Sequence, residues 1–248
     1  MNTRQMNQVI NLLKNHRSIR KFTAEPVSDE IVKTIIEAAG SAATSNFIQA
    51  YTVIRVRLAK TRKQIAELAG SQRWVETSPV FLVFCADLKR SEVACSYENK
   101  EMASGYTEQF ITATVDVSLI AQNAMIGAES LGLGGVFIGG IRNNPEEVCK
   151  LLNIPEQVYP VFGMCLGYPE GEQEQKPRLP VNVVLKEEIY QADEVELVEY
   201  NKICAEYYQN RSSGARDETW THQISEMMSK PARIHMRAFL DKQGFKFK

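Results

Sequence analysis

Apolar positions recur at helical spacing near the start of the chain. Met6, Val9, Ile10, Leu12 and Leu13 predict a helix that ends at Asn15-His16-Arg17-Ser18. A second helix is predicted after Pro26-Val27-Ser28. Ser28 is its N-cap, Asp29 and Glu30 lie in the first turn, Ile31, Val32, Ile35, Ile36 and Ala39 form the apolar face, and Gly40 is the stop. Val and Ile in Tyr51–Val56 predict a strand, and a helix fits Lys60–Leu68. The continuous apolar run Val80–Cys85 has the pattern of a central strand covered on both faces. Glu108–Leu131 contains no proline, is apolar around much of its circumference and predicts a core helix. After Gly132-Leu133-Gly134-Gly135 come a strand at Val136-Phe137-Ile138, a helix opened by Pro145 and a buried strand at Val161–Leu166. Glu170–Pro180 is a polar loop. From about residue 190 the pattern is helical and more charged, with a basic-tipped loop at 211–217 and short helices near Trp220–Met228 and Arg233–Lys242.

Few strands separated by more numerous helices predict an α+β fold: one mixed, mostly antiparallel sheet with helices on both faces, in a single domain with a C-terminal extension from about residue 190. The 248 residues suffice for a sizeable core. With 29 Lys+Arg against 30 Asp+Glu, the chain has no cationic excess for nucleic acid or a membrane surface. No window of 18 consecutive apolar residues occurs, so no spanning helix is expected, and the N-terminus lacks a signal-peptide pattern. The 5 cysteines form no C-x-x-C, and the 3 histidines are far apart, which argues against a disulfide framework or a metal site. Cys85 and Cys165 lie in apolar runs and read as buried, inert thiols, and the expected compartment is the reducing cytosol.

Chemistry gathers in short constellations. His16-Arg17-Ser18-Ile19-Arg20-Lys21 surrounds a hydroxyl with cationic groups, which suits a phosphate and equally a solvated turn at a helix end. Lys176-Pro177-Arg178-Leu179-Pro180 holds two cations on a proline-stiffened loop. Val136-Phe137-Ile138-Gly139-Gly140 ends a strand in glycines whose backbone a flat ligand could approach. Thr44-Ser45-Asn46-Phe47 and Gly70-Ser71-Gln72 carry small groups able to bond the edge of a heterocycle. There is no G-x-S-x-G elbow, no P-loop, and no dinucleotide fingerprint, because Gly132 and Gly134 follow a helix and precede a strand. Groups for a phosphate and a planar ring, without a side-chain nucleophile, indicate that a cofactor does the chemistry.

These motifs, together with Ala121-Gln122-Asn123-Ala124, Ala128-Glu129-Ser130-Leu131-Gly132-Leu133-Gly134, Ile141-Arg142-Asn143 and Phe162-Gly163-Met164-Cys165-Leu166-Gly167, occur in order along nearly the whole chain. In them the chain resembles the nitroreductase family of flavoenzymes. Within the family it resembles the bacterial NADPH-dependent flavin reductases and oxygen-insensitive nitroreductases that carry a long C-terminal extension. The resemblance implies an FMN site. His16, Ser18, Lys176 and Arg178 would hold the phosphate, with Arg17 close by. Arg20 would sit at the N1/O2 edge of the ring system, Gly139 and Gly140 would present backbone N–H groups near N5 and O4, Gln72 would bond the pyrimidine edge, and Ile138 would be a further cofactor contact. Thr44, Ser45, Asn46 and Phe47 would reach the flavin of the neighbouring subunit. Arg211 and Arg216 would clamp the 2′-phosphate of NADPH. The resemblance also implies a homodimer with FMN at the interface, wrapped by the extension, and ping-pong reduction of flavins, quinones or nitroaromatics without a catalytic side chain. A specialised relative, such as a reductive dehalogenase, or a non-catalytic FMN sensor is the alternative.

Overall fold

The computed structural model describes residues 7–171, 173–212 and 214–248; Met6 lies outside them. The chain divides into two compact units, one running up to Gln173 and including Arg233–Lys248, the other Glu174–Ala232.

The first unit begins with α1 (Gln8–Lys14), whose N-cap Asn7 accepts from the N–H groups of Val9 and Ile10. α2 (Asp29–Ala39) is capped by Ser28 as the sequence predicts. A 3-10 turn at Ser45–Phe47 leads to β1 (Tyr51–Arg55). α3 (Ala59–Leu68), α4 (Arg73–Thr77), β2 (Val80–Asp87), α5 (Lys89–Tyr97) and α6 (Thr107–Ser130) follow. Then come β3 (Gly134–Ile138), a 3-10 turn at Gly139–Asn143, α7 (Pro145–Leu152) and β4 (Val158–Gly167).

The sheet has order β1-β2-β4-β3, and every neighbouring pair is antiparallel. Every residue of β2 is buried, so both faces of the sheet are covered there. Pro160 in β4 removes a ladder donor; it pairs opposite Cys85, where the register shifts at a bulge. The parallel component is a bridge, Ser18↔Gly135, on the free edge of β3.

By length and mean hydropathy, 1.3, α6 would suffice to cross a bilayer. In this fold it is the core helix, burying Ala113, Val117, Ile120, Ala124 and Met125 among the hydrophobic residues of β2, β3 and β4. Its opposite face carries Ile111, Val115 and Leu119, which are 42–49% exposed. Cys85 and Cys165 are buried, as expected, and burial pushes both thiols up, Cys165 to about 12.

The second unit opens with α8 (Val181–Val184) and is dominated by α9 (Glu194–Gln209) and α10 (Trp220–Met228). Tyr200, Cys204 and Tyr208 are the buried face of α9. Tyr200 donates to the Pro177 carbonyl at 3.1 Å and meets Trp220 edge-on. Asn201 and Thr221 exchange two hydrogen bonds between α9 and α10. The chain then rejoins the first unit through α11 (Met236–Lys242), whose Phe239 and Leu240 enter the core together with Phe245 just beyond the helix.

Candidate functional site

The basic segment after α1 runs as a ribbon along the edge of β3. The Ile19 N–H donates to the Gly135 carbonyl at 2.8 Å and the Thr23 N–H to the Tyr168 carbonyl at 2.9 Å. The ribbon can lie so close because the flanking strand residue is glycine: a Cβ on Gly134 would stand 2.4 Å from Ile19 Cγ1. Ile19 is buried beneath it, while Arg17, Ser18 and Arg20 are exposed. His16 is fixed from α6, its Nδ1 2.6 Å from Glu129 Oε1. A carboxylate on Nδ1 leaves Nε2 as the ring atom able to meet a ligand.

Arg20, Trp74, Gln72 and Gly140 form one wall. The Arg20 guanidinium lies 5.8 Å from the Trp74 ring centroid. Trp74 Nε1–H donates to Gln72 Oε1 at 3.1 Å, and Gln72 Nε2 donates to the Ala69 carbonyl at 3.0 Å. Gln72 thus uses one polar site on each amide atom internally, leaving one donor and one acceptor position for the expected ring contact. Gly140 is buried against this group. A Cβ there would stand 2.3 Å from the Ala69 carbonyl oxygen and 2.5 Å from Gln72 Nε2. Gly139 is half-buried and is the more approachable of the pair, and Ile138 is buried. Arg62 pins the segment from beneath, donating to the Val75 carbonyl at 2.8 Å and to Ser78 Oγ at 2.9 Å. Burial lowers the Arg62 pKa.

Thr44-Ser45-Asn46-Phe47 is held separately. Asp116, on the inward face of α6, is fully buried. Its Oδ1 accepts from the Ser45 N–H and its Oδ2 from the Ala50 N–H, each at 3.0 Å. The charge is therefore answered by backbone donors. Between those two points Asn46, Phe47 and Gln49 have φ of 45°, 61° and 55°. Left-handed backbone at a bulky residue such as Phe costs about 1–3 kcal/mol and persists only where the surroundings impose it. The staple thus presents Phe47, 81% exposed, in a fixed pose. Asp116 was not among the sequence candidates, although a signal exists: it is the sole charged residue between Gln109 and Ala128. Trp74 and Glu129 also gain their roles only in the fold.

In the second unit Lys176, Arg211 and Arg216 lie on aromatic faces. Lys176 Nζ is 5.8 Å and the Arg216 guanidinium 4.5 Å from the Tyr208 centroid, and Arg211 is 6.0 Å from that of Tyr207. A cavity of about 500 Å³ opens among Lys176, Arg178, Tyr200, Tyr208 and Trp220. Arg211 faces Glu174, and Arg216 lies 3.8 Å from Glu218. Among the described residues no group of three or more His, Cys, Asp or Glu could hold a metal.

The ribbon's cations and hydroxyl thus lie beside a glycine-lined aromatic wall. The Nitroreductase family model matches residues 13–168, and that of the Nitroreductase family C-terminal domain matches residues 176–248. The chain is 43% identical over 241 residues to an oxygen-insensitive NADPH nitroreductase of Salmonella typhimurium, covering 97% of this chain and 99% of that one. The solved structure of NfrA1 from B. megaterium superposes with a TM-score of 0.93 at 48% identity, covering 97% of this chain and all of that one. The NADPH:FMN oxidoreductase of Vibrio harveyi, solved in complex with NAD+, gives a TM-score of 0.89 at 37% identity, covering 98% of this chain and all of that one. The chain belongs to the nitroreductase family.

Proposed function

We propose that the protein is an FMN-dependent oxidoreductase that takes two electrons from NADPH and passes them to small acceptors such as flavins, nitroaromatics or quinones. The observation that carries this reading is the wall of Arg20, Trp74, Gln72 and Gly140 beside the Ser18 ribbon. Its chemistry fits FMN: cations and a hydroxyl for the phosphate, and aromatic and amide edges for the ring system. FMN supplies the two-electron chemistry when bound. As the family resemblance implies, His16, Ser18, Lys176 and Arg178 would take the phosphate, with Arg17 close by. Arg20, 5.8 Å from the Trp74 ring centroid, would bring a positive charge to where negative charge gathers on reduction and lower the cost of that charge. Arg211 and Arg216 would bind the 2′-phosphate of NADPH.

The reading includes a homodimer. Ile111, Val115 and Leu119 recur at i, i+4, i+8 on the outer face of α6, and Val9, Ile10 and Leu13 of α1 are also exposed. Glu129, which anchors His16, and Asp116, which anchors the Phe47 loop, are about 20 Å apart along α6 at its rise per residue. A flavin contacted by both groups is most simply shared between two copies.

Arg20→Ala tests the reading. The expected outcome is flavin retention weakened about tenfold or more, or reduction by NADPH slowed by a similar factor. Flavin content and reduction rate equal to wild type would refute the role given to Arg20. Stoichiometric flavin without NADPH consumption would favour a flavin-binding module.

A further inference from the structure

Arg211 and the backbone N–H of Ser212 converge on one carboxylate. Ser212 N–H donates to Glu174 Oε1 at 2.7 Å, while Arg211 Nε stands 3.5 Å from Glu174 Oε2. The second contact is long, and the buried Arg211 Nε–H has no hydrogen-bond acceptor. A guanidinium and a backbone donor around an oxyanion form the kind of cradle a phosphate monoester takes. Here the protein's own side chain sits in it. The Ser212 and Arg211 contacts hold the Glu174 carboxyl below the usual carboxylate range, so it is ionised at neutral pH.

We propose that Glu174 is a specificity-determining residue: its carboxylate occupies the oxyanion place formed by Arg211 and Ser212, and the 2′-phosphate of NADPH must displace it. The proposal rests on the reading of Arg211 as a contact for that phosphate. A phosphate monoester carries nearly twice the charge of a carboxylate and three acceptor oxygens, so it can win the exchange and satisfy the Nε–H that Glu174 leaves unmet. The exchange has a cost, because the apparent affinity of a ligand falls with the fraction of molecules whose site is already filled. NADH has no group to place there and does not feel the competition. Glu174 thus narrows the margin between the two donors, and its removal widens it.

The test is calorimetric titration of the holoenzyme with adenosine 2′,5′-bisphosphate and with ADP, for wild type, Glu174→Gln and Arg211→Ala. Glutamine keeps an oxygen for the Ser212 N–H while removing the charge. Glu174→Gln is expected to tighten the 2′,5′-bisphosphate about fivefold and leave ADP unchanged. In steady state the KM for NADPH falls while the KM for NADH and kcat hold. Glu174→Ala is a second variant, expected to act in the same direction. If neither variant tightens the bisphosphate while Arg211→Ala weakens it, Glu174 does not compete and the proposal fails alone. If Arg211→Ala leaves the preference for the 2′-phosphate intact, the reading of Arg211 and the proposal fail together.

Discussion

β2 buries all 8 of its residues, whereas α9, with 16, buries Tyr200, Cys204 and Tyr208. The same contrast runs through the two units. In the first, the hydrophobic residues of the sheet, α2, α6 and α11 join one cluster. In the second, Val184, Leu185, Ile189 and Tyr190 are 61–87% exposed, and the elements are tied by individual polar contacts such as Tyr200 to Pro177 and Asn201 to Thr221. Burial of large apolar side chains is worth about 1.5–3 kcal/mol each, a hydrogen bond about 0.5–1.5. The first unit can therefore sustain strained backbone at Asn46 and Phe47, while the second suits residues that must exchange partners.

Substitutions in each unit test this contrast. Asp116→Leu is expected to act most strongly. It leaves the Ser45 and Ala50 N–H groups unpaired beneath a strained loop, a loss of about 3 kcal/mol in urea unfolding of the whole chain. A loss below about 0.5 kcal/mol would mean that the staple does not hold the loop. Gly140→Ala drives a Cβ against the Ala69 carbonyl and is expected to cost about 1–3 kcal/mol and most of the bound flavin. Wild-type flavin content would remove Gly140 from the site. In the second unit, Tyr200→Phe deletes one hydrogen bond, about 1 kcal/mol. Its effect is expected as faster amide exchange around 174–178 with the midpoint of the first unit unchanged; a global shift would contradict the contrast.

The smallest effect concerns pH. Glu218 raises the pKa of His222 through a hydrogen bond at 2.7 Å, and His222 lowers that of Glu218. The raised histidine stabilises fully below its unfolded pKa, and the contribution is lost as pH rises through the folded value. The lowered carboxylate stabilises above its unfolded pKa, and that contribution is lost as pH falls through its folded value. The pair acts between the carboxylate range and just above the ordinary histidine range. Glu218→Gln is expected to return the His222 NMR titration toward 6.5; an unmoved midpoint would show that the contact is not kept in solution.

Much of the first unit was legible in the chain because its signals are local. The Ser28 cap, the apolar run of β2, the length of α6 and the proline opening α7 each depend on neighbours within a turn or two. α4 and α5 leave little trace in the sequence: α4 spans 5 residues, and α5 has no buried residue to impose a periodic pattern. The candidate residues emerged from motif resemblance, but the groups that hold them did not. Asp116 meets Ser45 and Ala50 across 71 and 66 residues, and Glu129 meets His16 across 113. No window of sequence contains such pairs. Glu174 read as part of a polar loop until Arg211 and Ser212 were brought to it.

Whether the protein is an FMN enzyme fed by NADPH is read directly from the visible spectrum of the purified protein in an anaerobic cuvette, before and after addition of NADPH and, separately, NADH. The expected result is a yellow protein bleached quickly by NADPH and more slowly by NADH, with the colour restored by a nitroaromatic or a quinone. A protein that stays colourless after FMN is added, or a bound flavin that neither nucleotide bleaches, would contradict it.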